Sequence, residues 1–126
     1  MTVMVELRAT LSAEPEQVAE ARRLVAGYLH ERGEDDGEVA VLLVSELVTN
    51  AILHGRAPLE LRAQSAGAGL RVEVYDHDPA RPPILRHDFD LTEPGGRGLQ
   101  LVDTLADRWG WTENDGGKVV WFELDG

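Results

Sequence analysis

Three polar side chains recur at four-residue spacing in an otherwise apolar segment of the sequence. Glu46, Asn50 and His54 lie within Ser45–Gly55. Because four residues is just over one helical turn, the three side chains should project from one face of a helix. A carboxylate can accept a proton and a carboxamide oxygen can bind Mg²⁺, but burying either without a partner is costly. The spacing predicts a polar helix face that lines a ligand site. The alternative is a helix end whose polar side chains contact solvent or an arginine.

A second candidate is Asp76, at the end of a predicted strand. Leu70, Val72 and Val74 alternate with other residues, and Asp76 has the same parity. Alternate residues of a strand point to the same face, so this carboxylate should lie at the inner edge of the sheet. The alternative is that Asp76 only begins an Asx turn toward Pro79.

Glycines cluster at the predicted N-terminus of a helix. The segment Gly95–Leu99 contains Gly95, Gly96 and Gly98, with Arg97 among them. Backbone N–H groups and the helix dipole attract phosphate at such a position, and glycine lets it approach closely. Arg97 could add a charge-assisted contact. A flexible helix entry is the alternative, and the segment is neither a Walker A loop nor a dinucleotide-binding fingerprint.

Apolar periodicity predicts the elements that position these candidates. The predicted strands are 3–10, 59–63, 70–76, 110–114 and 118–124. The predicted helices are 15–32, then 36–55 with Asp35 or Asp36 as its cap and Gly55 in a left-handed conformation, and 97–109 with Leu99, Val102, Leu105 and Trp109 buried. His54 is expected to pack at or cap a helix end, and Lys118 to lie in a hairpin turn.

Tight turns between consecutive strands predict a two-layer α/β (α+β) sandwich. Its sheet should be largely antiparallel, with three helices on one face; a doubly wound parallel sheet is the alternative. At 126 residues the chain is expected to form one domain, residues 1–126. Between Pro79 and Gly96 the periodicity fails and four of the six prolines occur, which predicts a long loop.

Composition narrows the classes of partner. The formal net charge of −11 argues against direct binding to nucleic acid or to an anionic membrane surface. The absence of cysteine excludes disulfides and thiolate-ligated metal. The N-terminal residues lack the pattern of a signal peptide, and no apolar stretch is long enough to span a bilayer, so a cytoplasmic protein is expected.

Four segments, taken in order, resemble the motifs of the Bergerat-type ATP-binding fold, the GHKL superfamily of gyrase and histidine kinase ATPase domains. They are SELVTNAILHG, VEVYDHDPARPP, GGRGLQLVDTLADRWGW and GKVVWFEL. The resemblance covers essentially the whole chain and is closer still to the small anti-sigma-factor kinases of bacteria. It implies that Asn50 coordinates Mg²⁺, that Glu46 is the general base and that Asp76 reads the adenine of ATP.

The same resemblance implies where the triphosphate lies and which proteins are partners. Gly96 and Gly98 match the glycines that admit the triphosphate, Arg97 and Leu99 belong to the same cofactor-binding segment, and residues 79–95 match the ATP lid. The implied partner is a small anti-anti-sigma (antagonist) protein, a sigma factor, or both. A homodimer is compatible with the resemblance.

One departure from the family pattern leaves two functions open. Kinase members commonly have the sequence D-x-G-x-G in the second of these motifs, whereas here Asp76 is followed by HDPARPP. Proline stiffens the chain where glycine would bend. The chain is therefore either a serine/threonine kinase of an antagonist protein or a binding module that uses ATP without transferring phosphate. A metal site made by His77, Asp78, His87 and Asp88 is a further, weaker alternative.

Overall fold

The computed structural model describes residues 6–33, 37–78 and 98–126. These residues form three helices and five strands. In chain order the elements are β1 Glu6–Leu11, α1 Glu16–Glu31, α2 Glu38–His54, β2 Leu59–Ala66, β3 Gly69–Asp76, α3 Gly98–Leu105, β4 Arg108–Asn114 and β5 Gly117–Leu124. None of the three helices is long and apolar enough to cross a membrane.

The five strands form one open sheet with the order β1-β2-β3-β5-β4. Every neighbouring pair of these strands is antiparallel. The helices cover one face, where α2 lies between α1 and α3 and also contacts β3 and β5. The predicted antiparallel α+β sandwich is therefore confirmed, and the doubly wound parallel alternative is wrong.

Buried and partly exposed side chains alternate along the neighbouring strands β3 and β5. In β3 the buried side chains Leu70, Val72 and Val74 face the helices, and Asp76 follows with the same parity. In β5 the inward positions are Lys118, Val120 and Phe122, all buried. The other inward side chains of these two strands are apolar. Asp76 and Lys118 are therefore the charged residues that β3 and β5 contribute to the core.

Helix α2 is apolar on more than one side because it is covered by both neighbouring helices and by the sheet. Its predicted N-cap was wrong, because the N-cap residue is Gly37; the predicted caps Asp35 and Asp36 lie outside the described residues. The predicted end at Gly55 is confirmed. The predicted left-handed conformation is wrong, because Gly55 has φ −107° and ψ −159°, which is extended backbone.

Helix α3 is shorter than the sequence predicted. Leu99 and Val102 are buried as expected, but the helix ends at Leu105, whose side chain is exposed. Trp109 lies in β4 instead, opposite Phe122 of β5. Trp109 is in a strand although its spacing fits a helix, because the backbone of β4 forms hydrogen bonds with β5 along its whole length.

The outer face of the sheet carries a network of ion pairs across β3, β5 and β4. Arg71 donates to Glu73 at 3.2 Å and to Glu123 at 3.0 Å, and Arg108 donates to Glu123 at 2.8 Å. The Arg71 guanidinium also lies 4.2 Å from the centroid of the Trp121 ring. Hydrogen bonds from Arg108 and then Arg71 hold the pKa of Glu123 below its ordinary value of 4.5.

The lowered pKa of Glu123 predicts a pH-dependent contribution to stability. A carboxyl whose pKa falls on folding contributes stability above its unfolded value and loses it as the pH drops through the folded value. The difference in free energy of unfolding between wild type and Glu123→Gln should therefore have its largest value near pH 7. It should decrease as the pH falls below about 4.5. Urea denaturation across that range measures it, with Glu60→Gln on the same face as control. A difference that grows on acidification would contradict the assignment.

Candidate functional site

The site is centred on Asp76, the last residue of β3. Its side chain is almost fully buried, with 1% of the residue exposed. The alternation of β3 forces this position inward, so the carboxylate lies on the helical side of the sheet. A buried carboxylate needs hydrogen-bond donors or a counter-charge to offset the loss of water.

Lys118 supplies that counter-charge. Its Nζ lies 3.1 Å from Asp76 Oδ2 and 3.2 Å from Oδ1, and both side chains are 2% exposed. The two residues are directly opposed in the antiparallel pairing of β3 and β5. Lys118 is therefore part of the core at the start of β5, and the expectation that it is only a hairpin-turn residue was wrong.

The backbone beyond β3 folds back onto the same pair. The N–H of Asp78 donates to Asp76 Oδ1 at 2.8 Å, which is the Asx-type turn weighed as an alternative from the sequence. Lys118 Nζ also donates to the Asp78 carbonyl at 3.0 Å. Asp76 is thus both a buried inward carboxylate and the start of a turn, and its orientation is fixed by contacts from two directions.

The C-terminal end of α2 packs directly against Asp76 at Gly55. A Cβ at position 55 would lie 2.6 Å from Asp76 Cγ and 2.8 Å from the Ala51 carbonyl oxygen, so no larger residue fits there without displacement. The N–H of His77 donates to the Arg56 carbonyl at 2.9 Å and joins the same two segments. Glycine is required at 55 by close approach to the carboxylate rather than by an unusual dihedral angle.

Asn50 lies on α2 just before Ala51, one of the residues in this contact. The residue is 4% exposed, and its buried Nδ2 atom has no hydrogen-bond partner in the part of the chain that the structure describes. A buried amide nitrogen without a hydrogen-bond partner is unusual and costly. Glu46, one turn earlier, is half-buried, and its side chain or backbone takes part in another interaction. The two predicted side chains therefore differ, because only Asn50 has an unsatisfied buried polar atom.

The remaining predicted cofactor-binding residues belong to the start of α3. Gly98 is the first residue of that helix, and the side chain of Leu99 is buried in the core. A contact between Leu99 and a ligand would therefore have to involve its backbone. Gly96, Arg97 and the predicted lid, residues 79–95, lie outside the described residues.

The weaker metal-site alternative receives no support within the described ranges. These ranges contain no group of three or more histidine, aspartate or glutamate side chains arranged to hold a metal ion. His77 contacts the Tyr75 ring edge-on, with ring centroids 4.9 Å apart. The other two residues of that hypothesis, His87 and Asp88, lie outside the described residues.

A family model described as the histidine kinase-like ATPase domain matches residues 11–124, which include β3, α2, α3 and the Asp76–Lys118 pair. The chain belongs to the histidine kinase-like ATPase domain family. The resemblance to Bergerat-fold ATPases is thereby confirmed, and family membership supports an ATP-binding regulatory function. An uncharacterized protein of Streptomyces coelicolor is 36% identical over 80 residues, covering 61% of this chain and 76% of that protein.

Two solved structures resemble this histidine kinase-like ATPase domain. The structure of the RsbU and RsbW domains of Rv1364c from Mycobacterium tuberculosis matches with a TM-score of 0.72 at 23% identity and covers 97% of this chain. The chain spans only 32% of that structure's length, so the likeness shows the shared fold. The histidine kinase domain of a blue-light activated kinase from Erythrobacter litoralis matches with a TM-score of 0.50 at 26% identity, covering 85% of this chain and 59% of that one.

Reasoning from the sequence missed two residues of the site. Lys118 has the same parity as Val120 and Phe122, so the inward phase of β5 was a signal that the lysine is buried. Gly55 had no such signal, because the atoms that exclude a side chain there belong mainly to Asp76, which is distant in sequence. Lys118 in β5 and Gly55 at the end of α2 approach the carboxylate from different elements. Together they determine which part of Asp76 a ligand can reach.

Proposed function

We propose that this chain is an ATP-binding regulatory protein that phosphorylates a small antagonist protein on serine or threonine and so controls a sigma factor. The single observation that carries the nucleotide-binding part is the buried Asp76 carboxylate beside the C-terminal end of α2, which also bears the unsatisfied Asn50. The regulatory part rests on the sequence resemblance to anti-sigma-factor kinases.

Asp76 suits the recognition of adenine. An ionised carboxylate only accepts hydrogen bonds, so it can accept one from the exocyclic amino group of adenine and repels the carbonyl that guanine has at that position. The absence of a side chain at Gly55 leaves the Oδ2 side of the carboxylate clear of a Cβ. These features favour ATP over GTP.

The residues present also fit a magnesium–triphosphate group. Mg²⁺ prefers oxygen ligands, and the Asn50 carboxamide has oxygen and nitrogen atoms that exchange places when the group rotates. The buried Nδ2 atom of Asn50 has no hydrogen-bond partner among the described residues, which supports a role for this carboxamide in binding a ligand. When bound, Mg²⁺ would neutralise charge on the phosphates. The backbone N–H groups of Gly98 and Leu99, at the start of α3, would hold the phosphates, and the sequence resemblance assigns Gly96 and Arg97 the same role.

Glu46 is the residue that would act on the incoming hydroxyl group. Its position one turn before Asn50 on α2 lets it accept or orient the proton of a serine or threonine of the partner. The second candidate function is a binding module that uses ATP without phosphoryl transfer. The observation that favours it is the proline-rich sequence HDPARPP after Asp76, where kinase members commonly have the glycines of D-x-G-x-G.

Two measurements test this proposal. Calorimetric titration should give tighter binding of Mg-ATP than of Mg-GTP, by roughly 1 to 3 kcal/mol if one hydrogen bond to Asp76 carries the difference. The exposed variant Arg23→Gln on α1 is a matched control and should bind both nucleotides as the wild type does. Equal affinities would contradict recognition of adenine by Asp76.

Incubation with ATP and candidate antagonist proteins then separates the two functions. Intact-mass measurement should show one added phosphoryl group on a partner if the chain is a kinase. ATP-dependent association with a partner that gains no mass would support the binding module instead. Neighbouring genes that encode a sigma factor or a small antagonist protein identify the partners to try first.

A further inference from the structure

The contacts of Asp76 occupy most of the hydrogen-bond acceptor sites on its carboxylate. Oδ1 accepts hydrogen bonds from the Asp78 N–H at 2.8 Å and from Lys118 Nζ at 3.2 Å, and the same ammonium lies 3.1 Å from Oδ2 as an ion pair. A carboxylate has about four lone-pair sites, two on each oxygen. Within the described residues, the two acceptor sites of Oδ1 are therefore used, whereas Oδ2 is faced only by the ammonium and keeps an open acceptor site.

The two purine bases need different numbers of acceptors. Adenine has one exocyclic amino group on its pairing edge, next to a ring nitrogen that can only accept. Guanine has two adjacent donors, the ring N1–H and the N2 amino group, which match the two oxygens of a free carboxylate. An aspartate with both oxygens open can therefore bind guanine through two parallel hydrogen bonds, whereas an aspartate with one open site cannot.

We infer that Lys118 determines base specificity by filling Oδ1 of Asp76, which prevents two-point recognition of guanine and leaves one acceptor for the adenine amino group. The inference rests on the proposed nucleotide-binding function and adds to it a residue that acts through Asp76. Lys118 is thus a positioning residue that does not itself contact the base. Its ammonium group is directed at Asp76 and at the Asp78 carbonyl.

The position of Lys118 keeps its ammonium group in contact with Asp76 when a nucleotide binds. It is 2% exposed and directly opposite Asp76 in the β3–β5 pairing, so its reach to the carboxylate is fixed by the sheet. A lysine in a mobile loop could withdraw when a nucleotide enters, but a buried ammonium could leave its carboxylate only at a large desolvation cost. Guanine would therefore have to compete with an ion pair for Oδ1.

The test compares ATP, GTP and ITP, because ITP has the ring N1–H of guanine but lacks its N2 amino group. Wild-type protein should bind ATP most tightly and should bind GTP and ITP within about twofold of each other, since the N2 amino group finds no acceptor. In Lys118→Met, which keeps the length of the side chain without its charge, GTP should bind about fivefold or more tightly than ITP. The ratio of ATP to GTP affinities should fall by a similar factor.

The controls separate a specific effect from a loss of structure. A purely structural role for Lys118 would weaken all three nucleotides in parallel and leave their ratios unchanged, which would overturn the inference. Lys118→Gln is a second variant that removes the charge but keeps a donor, and it serves if Lys118→Met does not fold. Glu113→Gln, at the exposed position opposite Lys118 in β4, should not alter the ratios.

The wild-type measurement alone can also overturn the inference. If wild-type protein prefers GTP to ITP by fivefold or more, Oδ1 is open to the base and Lys118 does not block it. If wild-type protein binds none of the three nucleotides, the proposed nucleotide-binding function is contradicted instead. The failure of the inference is therefore distinguishable from the failure of the function on which it rests.

Discussion

Phosphoryl transfer by the Glu46→Gln variant should fall by about a hundredfold to ten-thousandfold, the usual effect of losing a general base. Glutamine keeps the shape of the side chain but cannot accept the proton, so only the transition state should lose stabilisation. The affinity for ATP should stay within a few-fold of the wild-type value. The measurement is transfer of labelled phosphate from ATP to a small antagonist protein, with a binding titration of the same preparation.

Asn50→Ala is the matched comparison on the same face of α2. It should weaken both ATP binding and transfer, because a magnesium ligand contributes before the transition state as well as in it. A Glu46→Gln protein that transfers phosphate at the wild-type rate would exclude the role assigned to Glu46. If wild-type protein transfers no phosphate to any antagonist protein while binding ATP, the binding-module function is favoured.

The Asp76→Asn variant should lose about 3 to 5 kcal/mol of stability, because Lys118 would then be buried without its counter-charge. Both side chains of the pair are 2% exposed, so solvent cannot screen the unpaired ammonium. The variant should also lose its affinity for ATP, since the asparagine side chain has a donor in place of one acceptor. Chemical denaturation and calorimetric titration measure the two effects on the same protein.

A double variant separates these two effects. Asp76→Asn combined with Lys118→Met removes the unpaired charge and should recover most of the lost stability, because replacing a whole buried pair is often close to neutral. It should not recover ATP binding, because the remaining carboxamide oxygen would stay bonded to the Asp78 N–H, and the NH2 group in place of Oδ2 cannot accept from adenine. Recovery of both properties would show that Asp76 acts only through stability and would exclude its role in reading the base.

The strands and helices were largely predictable because each has a clear period in the sequence. The alternation of β3 placed Asp76 at the inner edge before its surroundings were known, and the four-residue spacing placed Glu46 and Asn50 on α2. The end of α3 was not predictable, because Trp109 fits both the helical spacing after Leu99 and the alternation of β4. Pairing with β5 decides between the two, and this is a tertiary effect.

The site itself was predictable only where one element determines it. The environment of Asp76 is set by Lys118 from β5 and by Gly55 from the end of α2, and neither contact follows from local sequence. Glycine after a helix usually indicates a left-handed end, and lysine next to glycines usually indicates a turn. In this chain, approach between distant segments outweighs both local preferences.

The direct opposition of Asp76 and Lys118 across β3 and β5 has a consequence for folding. Side chains alternate between faces along a strand, so a one-residue shift of β5 would move Lys118 to the outer face and bring Val119 to the carboxylate. A nucleotide that depends on this pair binds only the correctly paired sheet. By mass action it then stabilises that pairing, by about 2.7 kcal/mol at roughly 100 times its Kd. Cellular ATP would thus act as a folding ligand that selects one arrangement of the central strands.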